Sequence, residues 1–215
     1  MTKLIKVLVL ATFSVFLSVA AVQAGSLGIK IATTDVSASG NETLKTSGNV
    51  TNHSADKTVT IPSFFIETSG DFRLGLDYIP VSADVGSGAN TGDDDIETSG
   101  TNKVTANFKN HITLYAEKTL ADSPLYIKLG VAHVTVETDD VLSTGAKYGD
   151  ENLKGFTYGV GARKEFGSNS FFKIEASKTD YDSASFKSTN SDAVTTVNLN
   201  DLDTTQLSIS VGKTF

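Results

Sequence analysis

Three histidines, His53, His111 and His133, and a run of carboxylates, GDDDIE over 92–97, are the side chains of this chain best suited to chemistry. His53 stands in TNHSADK beside Ser54, two thirds of a hydrolytic triad by type. A triad is defined by hydrogen-bond geometry among nucleophile, base and orienting carboxylate, and adjacency in sequence does not supply it. His111 and His133 sit among alternating residues, where one reads as an interior hydrogen-bonding group and the other as a strand-face residue. The acidic run could gather a divalent cation with its oxygens. It lacks the regular spacing of a calcium loop, which favours a solvated acidic loop.

With no cysteine, neither a disulfide framework nor a thiolate metal site is available. P-loop, dinucleotide-binding and zinc signatures are missing as well. The chain is therefore expected to be a non-enzyme with no cofactor and no metal. Asn41, Asn49 and Asn52 begin N-x-[ST] triplets, read as chance in a Thr-rich segment.

The remaining charges acquire meaning only from the elements that carry them. The first residues carry Lys3 and Lys6, then an apolar run from Val7 to Val22, then Val22 and Ala24 spaced like a leader-peptidase site. This pattern predicts a Sec signal over 1–24, cut between Ala24 and Gly25, because the run is shorter than the ~20 residues a spanning helix needs. Loss of the two lysines leaves sixteen basic residues against twenty-five acidic, and moves the net charge from −7 to −9. Nucleic acid is then a poor partner.

Many Thr, Ser, Val, Phe and Tyr, eighteen glycines and three prolines point to an all-β domain over 25–215. Eight alternating segments are expected, at 26–36, 58–69, 72–84, 104–119, 124–138, 153–166, 171–182 and 204–215. Hairpin-sized links join segments two and three, four and five, and six and seven. The intervening links, 37–57, 85–103, 139–152 and 183–203, are long and rich in Ser, Thr, Asn and Asp. Short and long links thus fall on opposite ends, as in an up-and-down eight-stranded transmembrane barrel with short periplasmic turns and long extracellular loops.

A soluble lipocalin-like barrel alternates too, with its apolar residues inside. The two faces favour the membrane barrel and leave the soluble one as the structural runner-up. Phe72, Leu74, Leu76 and Tyr78 oppose Arg73, Gly75 and Asp77, and Phe156, Tyr158 and Val160 oppose Gly155, Thr157, Gly159, Gly161 and Arg163. Glycines alternating with isolated charges make a poor solvent face but suit a narrow interior that needs room for bulky side chains. The interior is then expected to collect Lys30, Arg73, Lys109, Lys128, Arg163 and Lys173 with Glu67, Asp77, Glu117, Glu165 and Glu175, in near balance. An unpaired ion in so dry a lumen would cost several kcal/mol. A closed ion-pair network that plugs the barrel follows, and neutralising Arg73 or Arg163 is expected to open it. Phe64, Phe65, Phe72, Tyr126, Phe166, Phe171, Phe172 and Phe215 gather near the short-turn end and read as an interfacial girdle.

GFTYGVGARKEF, FFKIEASKTDYD and the closing LSISVGKTF resemble the last three strands of the OmpA/OmpX-type outer-membrane β-barrel family. The resemblance implies the outer membrane of a Gram-negative bacterium. It also implies that Phe215 forms part of the signal read by the barrel assembly machinery. Relatives with an appended peptidoglycan-binding domain differ from this chain, which is similar to the stand-alone members. Lipid A deacylase barrels in the same class place a His and a Ser two apart on a strand, a spacing that His53 and Ser54 do not have. The expected partners are outer-membrane lipid and lipopolysaccharide, the assembly machinery, and an extracellular ligand of unknown identity held by the loops. The expected state is a monomer with a structural or surface-contact role. A narrow solute channel is the alternative, and a lipid A-modifying enzyme a more distant one.

Overall fold

The computed structural model describes residues 25–43, 48, 50–91, 101–141, 147–189 and 196–215. The expected leader and its junction at Ala24, and the acidic run 92–97, lie outside them. Ten strands form: β1 Gly25–Thr43, β2 Val50–Thr68, β3 Phe72–Ile79, β4 Ala83–Thr91, β5 Thr101–Thr119, β6 Leu125–Val141, β7 Glu151–Phe166, β8 Ser170–Tyr181, β9 Ala184–Lys187 and β10 Thr196–Thr214. Neighbours pair antiparallel, and β1 pairs with β10, which closes a ring of eight. The third and seventh staves of the ring are each broken in two, as β3–β4 and β8–β9.

Alternation follows from the pleat, which sends successive side chains to opposite faces. Along β1, Leu27, Ile29 and Ile31 are more than half exposed on the outer wall, while Ser26, Lys30, Ala32 and Thr34 are buried inside. Leu207, Ile209 and Val211 continue that outer band on β10, and Leu129, Val131, Val160 and Phe156 do so on β6 and β7. In water such a contiguous apolar surface would be a heavy liability; against acyl chains it is the required solvent. Among the described residues no helix is long and apolar enough to cross a membrane.

The short turns and both ends of the barrel lie together. Gly70 and Gly167 take positive φ of 103° and 62° in two of these turns, a conformation glycine adopts without steric cost. The Phe215 N–H donates to the Gly25 carbonyl at 2.8 Å. The last residue is thereby tied to the first of β1, which is why a strand can run to this end without fraying.

Much of what reads as long loop is wall. β1 and β10 pair from Ser26↔Thr214 to Thr43↔Thr196, broken only by a bulge between Ser39 and Gly40, and β1 and β2 pair continuously from Gly25↔Thr68 to Thr43↔Val50. Ser, Asn and Gly are weak strand formers alone, but a partner on each side overrides that preference. The wall therefore continues well beyond the apolar band on the side away from the turns.

One seam is left open. β2 and β3 pair only from Phe64↔Tyr78 to Glu67↔Gly75. The next positions on the outer face are Pro62 and Pro80, and proline has no N–H to extend a ladder. Above them no ladder joins β2 to β4 among the described residues; the Lys57 ammonium instead reaches Asp84 at 2.7 Å. That hydrogen bond, helped by the Gly86 N–H at 3.1 Å, holds the Asp84 carboxyl below its ordinary range.

Candidate functional site

Residues that alternate inward on seven staves meet in one layer near the turn end. Glu67 on β2 and Glu117 on β5 are at 1% and 0% exposure, so their charges must be answered within the barrel. Glu67 pairs with Arg163, accepts from the Lys173 ammonium at 3.1 Å, and accepts from the Tyr115 hydroxyl at 3.1 Å. Glu117 accepts from Arg73 Nε at 3.1 Å and pairs with the same Lys173. One step further from the turns, Glu175 accepts from Lys128 Nζ and from the Tyr126 hydroxyl, both at 2.9 Å. Lys30 pairs with Asp77 and also donates to Gln206 at 3.3 Å, whose amide donates to Thr34 at 3.0 Å. Charged groups that share hydrogen bonds in this way offset most of the desolvation that would otherwise expel them.

Nine of the expected charges are brought together: Lys30, Arg73, Lys128, Arg163 and Lys173 with Glu67, Asp77, Glu117 and Glu175. Two are not. Lys109 points to the outer wall and pairs with Glu137. The cause is a β-bulge between Lys109 and Ile112, with Asn110 at φ 52°, which inserts a residue and reverses the alternation of β5. Glu165 has a 74% exposed side chain beside the turn-end mouth, 3.6 Å from Arg163, because β7 has already left the lumen there.

Aromatic rings complete the layer. Phe65, Tyr115, Tyr126 and Phe171 are at most 4% exposed. Each stands directly across the ladder from a glycine: Gly28↔Phe65, Gly75↔Tyr115, Gly161↔Tyr126 and Gly212↔Phe171. A Cβ at these glycines would lie 2.2–2.4 Å from a ring atom. The room left by the glycines is thus taken by rings lying flat on the backbone, where charged chains were expected. The rings in turn face cations: the Arg163 guanidinium carbon is 3.4 Å from the Phe171 centroid, and Lys128 Nζ is 4.1 Å from that of Tyr115. Phe65, Tyr126 and Phe171 consequently do not belong to the outer girdle, whereas Phe64, Phe72, Phe166 and Phe215 are 50–65% exposed and do face outward at that end.

Above the ionic layer lies a cavity of about 30 Å³ lined by Asp77, His111, Thr113, Thr179, Tyr181 and Thr204, room for a water or two. His111 Nε2 and the Tyr181 hydroxyl share a hydrogen bond of 2.8 Å, and Thr157 and Thr179 another of 2.8 Å. Beyond it the interior turns apolar. Val36, Phe108, Val134, Val136, Leu153, Phe186 and Leu202 form a buried cluster with Val85, Ala132 and Tyr181. This cap was not foreseen in the sequence, although Val134 and Val136 share the alternation of Lys128.

The remaining chemical candidates stay apart. His53 lies on the exposed part of β2, 3.9 Å from Glu42, and the pleat sends Ser54 to the opposite face. His133 faces outward opposite Lys154. Among the described residues no group of three or more His, Cys, Asp or Glu could hold a metal.

A closed antiparallel ring with an apolar outer band and an ionic lumen is the architecture of an outer-membrane barrel. The family model "Outer membrane protein beta-barrel domain" matches residues 7–215. The chain belongs to this family. Among solved structures it is similar to the outer membrane protein OprG from Pseudomonas aeruginosa, with a TM-score of 0.58 at 13% identity, covering 90% of this chain and 97% of that one. A looser similarity is to Ail, the attachment invasion locus protein of Yersinia pestis, with a TM-score of 0.43 at 16% identity over 90% and 99% of the two chains. Another is to the outer membrane protease OmpT from Escherichia coli, with a TM-score of 0.46 at 9% identity over 89% and 97%. At these identities the likeness is one of fold. No curated protein matches the sequence. Outer-membrane location follows from the family and the outer band together.

Proposed function

We propose that this outer-membrane barrel is a non-enzymatic, non-conducting scaffold that holds a stiff extracellular wall for surface contact and envelope integrity. The observation that carries the reading is the lumen, filled in series by the ionic and aromatic layer and by the apolar cap. An eight-stranded interior is only wide enough for side chains, and here they meet.

The wall beyond the apolar band supports the contact role. Rows of polar side chains are bonded across its outer face: Ser37 donates to Asp56 at 2.7 Å, Thr135 to Asn152 at 2.9 Å, and Asn107 to Asp139 at 3.0 Å. Such rows add rigidity to a surface that binding segments need.

Planar-bilayer recording tests the non-conducting claim. The full chain is expected to give no stable channel. Because two seals lie in series, neutralising Arg73 or Arg163 alone leaves the cap intact, so Arg163→Met is also expected to stay silent, contrary to the simpler expectation from the ionic layer alone. A steady conductance from the unaltered chain would support the solute-channel reading instead. A change in lipid A mass on expression of the protein would support an enzyme.

A further inference from the structure

We propose that the outer wall at the turn end binds one anionic phospholipid of the periplasmic leaflet, held by Lys164 and Lys213 on either side of β8. Outward charge is unevenly placed along this barrel. At the turn end, Lys118 on β5, Lys164 on β7 and Lys213 on β10 are exposed and lie within the last three residues of their strands. The strand carboxylates at that level, Glu67, Glu117 and Glu165, have the opposite parity, and Asp71 and Asp122 lie beyond the strand ends in the turns. At the other edge of the apolar band the outer face carries acids as well, Asp35, Glu137 and Asp180 among them.

The three lysines are left to the solvent around the wall. Their direct cross-strand neighbours are all uncharged: Phe72 and Ile127 for Lys118, Phe172 for Lys164, and Leu27 and Ser170 for Lys213. None of the ion pairs among the described residues involves them.

Two of them converge on one patch. Register aligns Lys164, Phe172 and Val211 in one row across β7, β8 and β10, and Phe166, Ser170 and Lys213 in the next row toward the turns. Lys164 and Lys213 are thus at opposite corners, two strands and two residues apart, with their Cα atoms about 12 Å from each other. Two long side chains can close that distance on one headgroup, their stems lying along apolar surface while the ammoniums reach the interface. Between the corners stands Ser170, small and half-buried, and behind them Phe172, Ile174, Ile209 and Val211 offer an apolar floor for acyl chains.

Charge and depth select the occupant. This end of the band carries the outward rings of Phe64, Phe72, Phe166 and Phe215, which mark the level where acyl chains give way to headgroups. In the orientation set by the short turns, those headgroups belong to the phospholipids of the periplasmic leaflet. A patch with two bases and no acid favours a phosphate without an ammonium of its own. The inference rests on the membrane orientation of the barrel and not on the scaffold role.

Native mass spectrometry of the protein released from nanodiscs tests it, with phosphatidylglycerol, phosphatidylethanolamine and phosphatidylcholine offered in equal amounts. The unaltered protein is expected to retain one phosphatidylglycerol in preference to the other two. Lys164→Gln and Lys213→Gln should each lower that retention about fivefold, the effect of one basic residue at a membrane surface. Lys118→Gln removes the same charge from the same end of the wall but away from β8, and should change it less than twofold. Equal retention of the three lipids by the unaltered protein would overturn the proposal. So would a Lys118→Gln loss as large as the other two, which would mean a diffuse collar of charge and no site. Unchanged retention in a Lys164→Gln, Lys213→Gln double variant that keeps its heat-modifiable gel mobility would also overturn it.

Discussion

Lys173 is the residue on which the ionic layer turns, because it answers two carboxylates at once. The buried set holds five cations and four carboxylates, so without Lys173 each carboxylate still keeps one partner. Removing the Glu67 charge instead takes an anion from two buried cations at once, leaving Lys173 with Glu117 alone and Arg163 with only the exposed Glu165 at 3.6 Å. Glu67→Gln is therefore expected to cost about 3–5 kcal/mol in urea unfolding from lipid bilayers, and Lys173→Met roughly 2 kcal/mol less. Glu165→Gln, on an exposed side chain, should stay within about 0.5 kcal/mol. A second prediction concerns the glycines. Gly161→Val would drive a side chain into the Tyr126 ring, so the same assay should show a loss of about 1–3 kcal/mol from overpacking.

Much of this layer was legible one residue at a time, and the exceptions have identifiable causes. Arg73 and Asp77 alternate with Phe72, Leu74 and Tyr78, and that contrast alone assigns the faces. The same parity places Phe65 with Glu67, Tyr126 with Lys128, and Phe171 with Lys173. Reading these aromatics as girdle residues gave weight to residue type over position. Lys109 is different in kind. Its displacement comes from a bulge at Asn110, and an extra residue in one strand leaves no mark in a sequence whose partner strand is read separately.

At the scale of elements, the surprise is the length of the strands. β1, β2, β5 and β10 each run 19 residues, and the outer halves of β1, β2 and β10 are rich in Ser, Thr, Asn and Asp. Composition marked those halves as loops, and only pairing to neighbours makes them wall. The broken third and seventh staves show where the wall is weaker. Between β2 and β4 the ladder is replaced by the exposed Lys57–Asp84 pair. Exposed pairs contribute little and are screened by salt. Hydrogen exchange should therefore find the β4-facing amides of Thr51–Thr60 much less protected than amides of β10 at the same height. Lys57→Ala should increase that exchange locally and leave the global unfolding midpoint almost unchanged. Equal protection on both sides would mean that a ladder spans the seam.

For the whole molecule, the arrangement is a barrel with two interiors. The half inside the membrane is apolar outward and ionic within; the half beyond it is polar outward and apolar within, like a soluble barrel set on a membrane one. Each half places its hydrophobic side where water is excluded. The changeover lies near the small cavity around His111 and Tyr181. Sequence patterning exposed the lower inversion clearly, because lysines and glutamates inside a strand array are rare. The upper half was hidden by segments that read as loops.

The most direct test of this account is the solvent that the outer band touches. Spin labels on single cysteines replacing Leu129, Val160 and Ile209, in protein reconstituted into liposomes, can be challenged with lipid-soluble oxygen and with a water-soluble nickel chelate. The account predicts strong relaxation by oxygen and almost none by nickel at all three positions. Strong nickel relaxation with weak oxygen relaxation would place that face in water and contradict it.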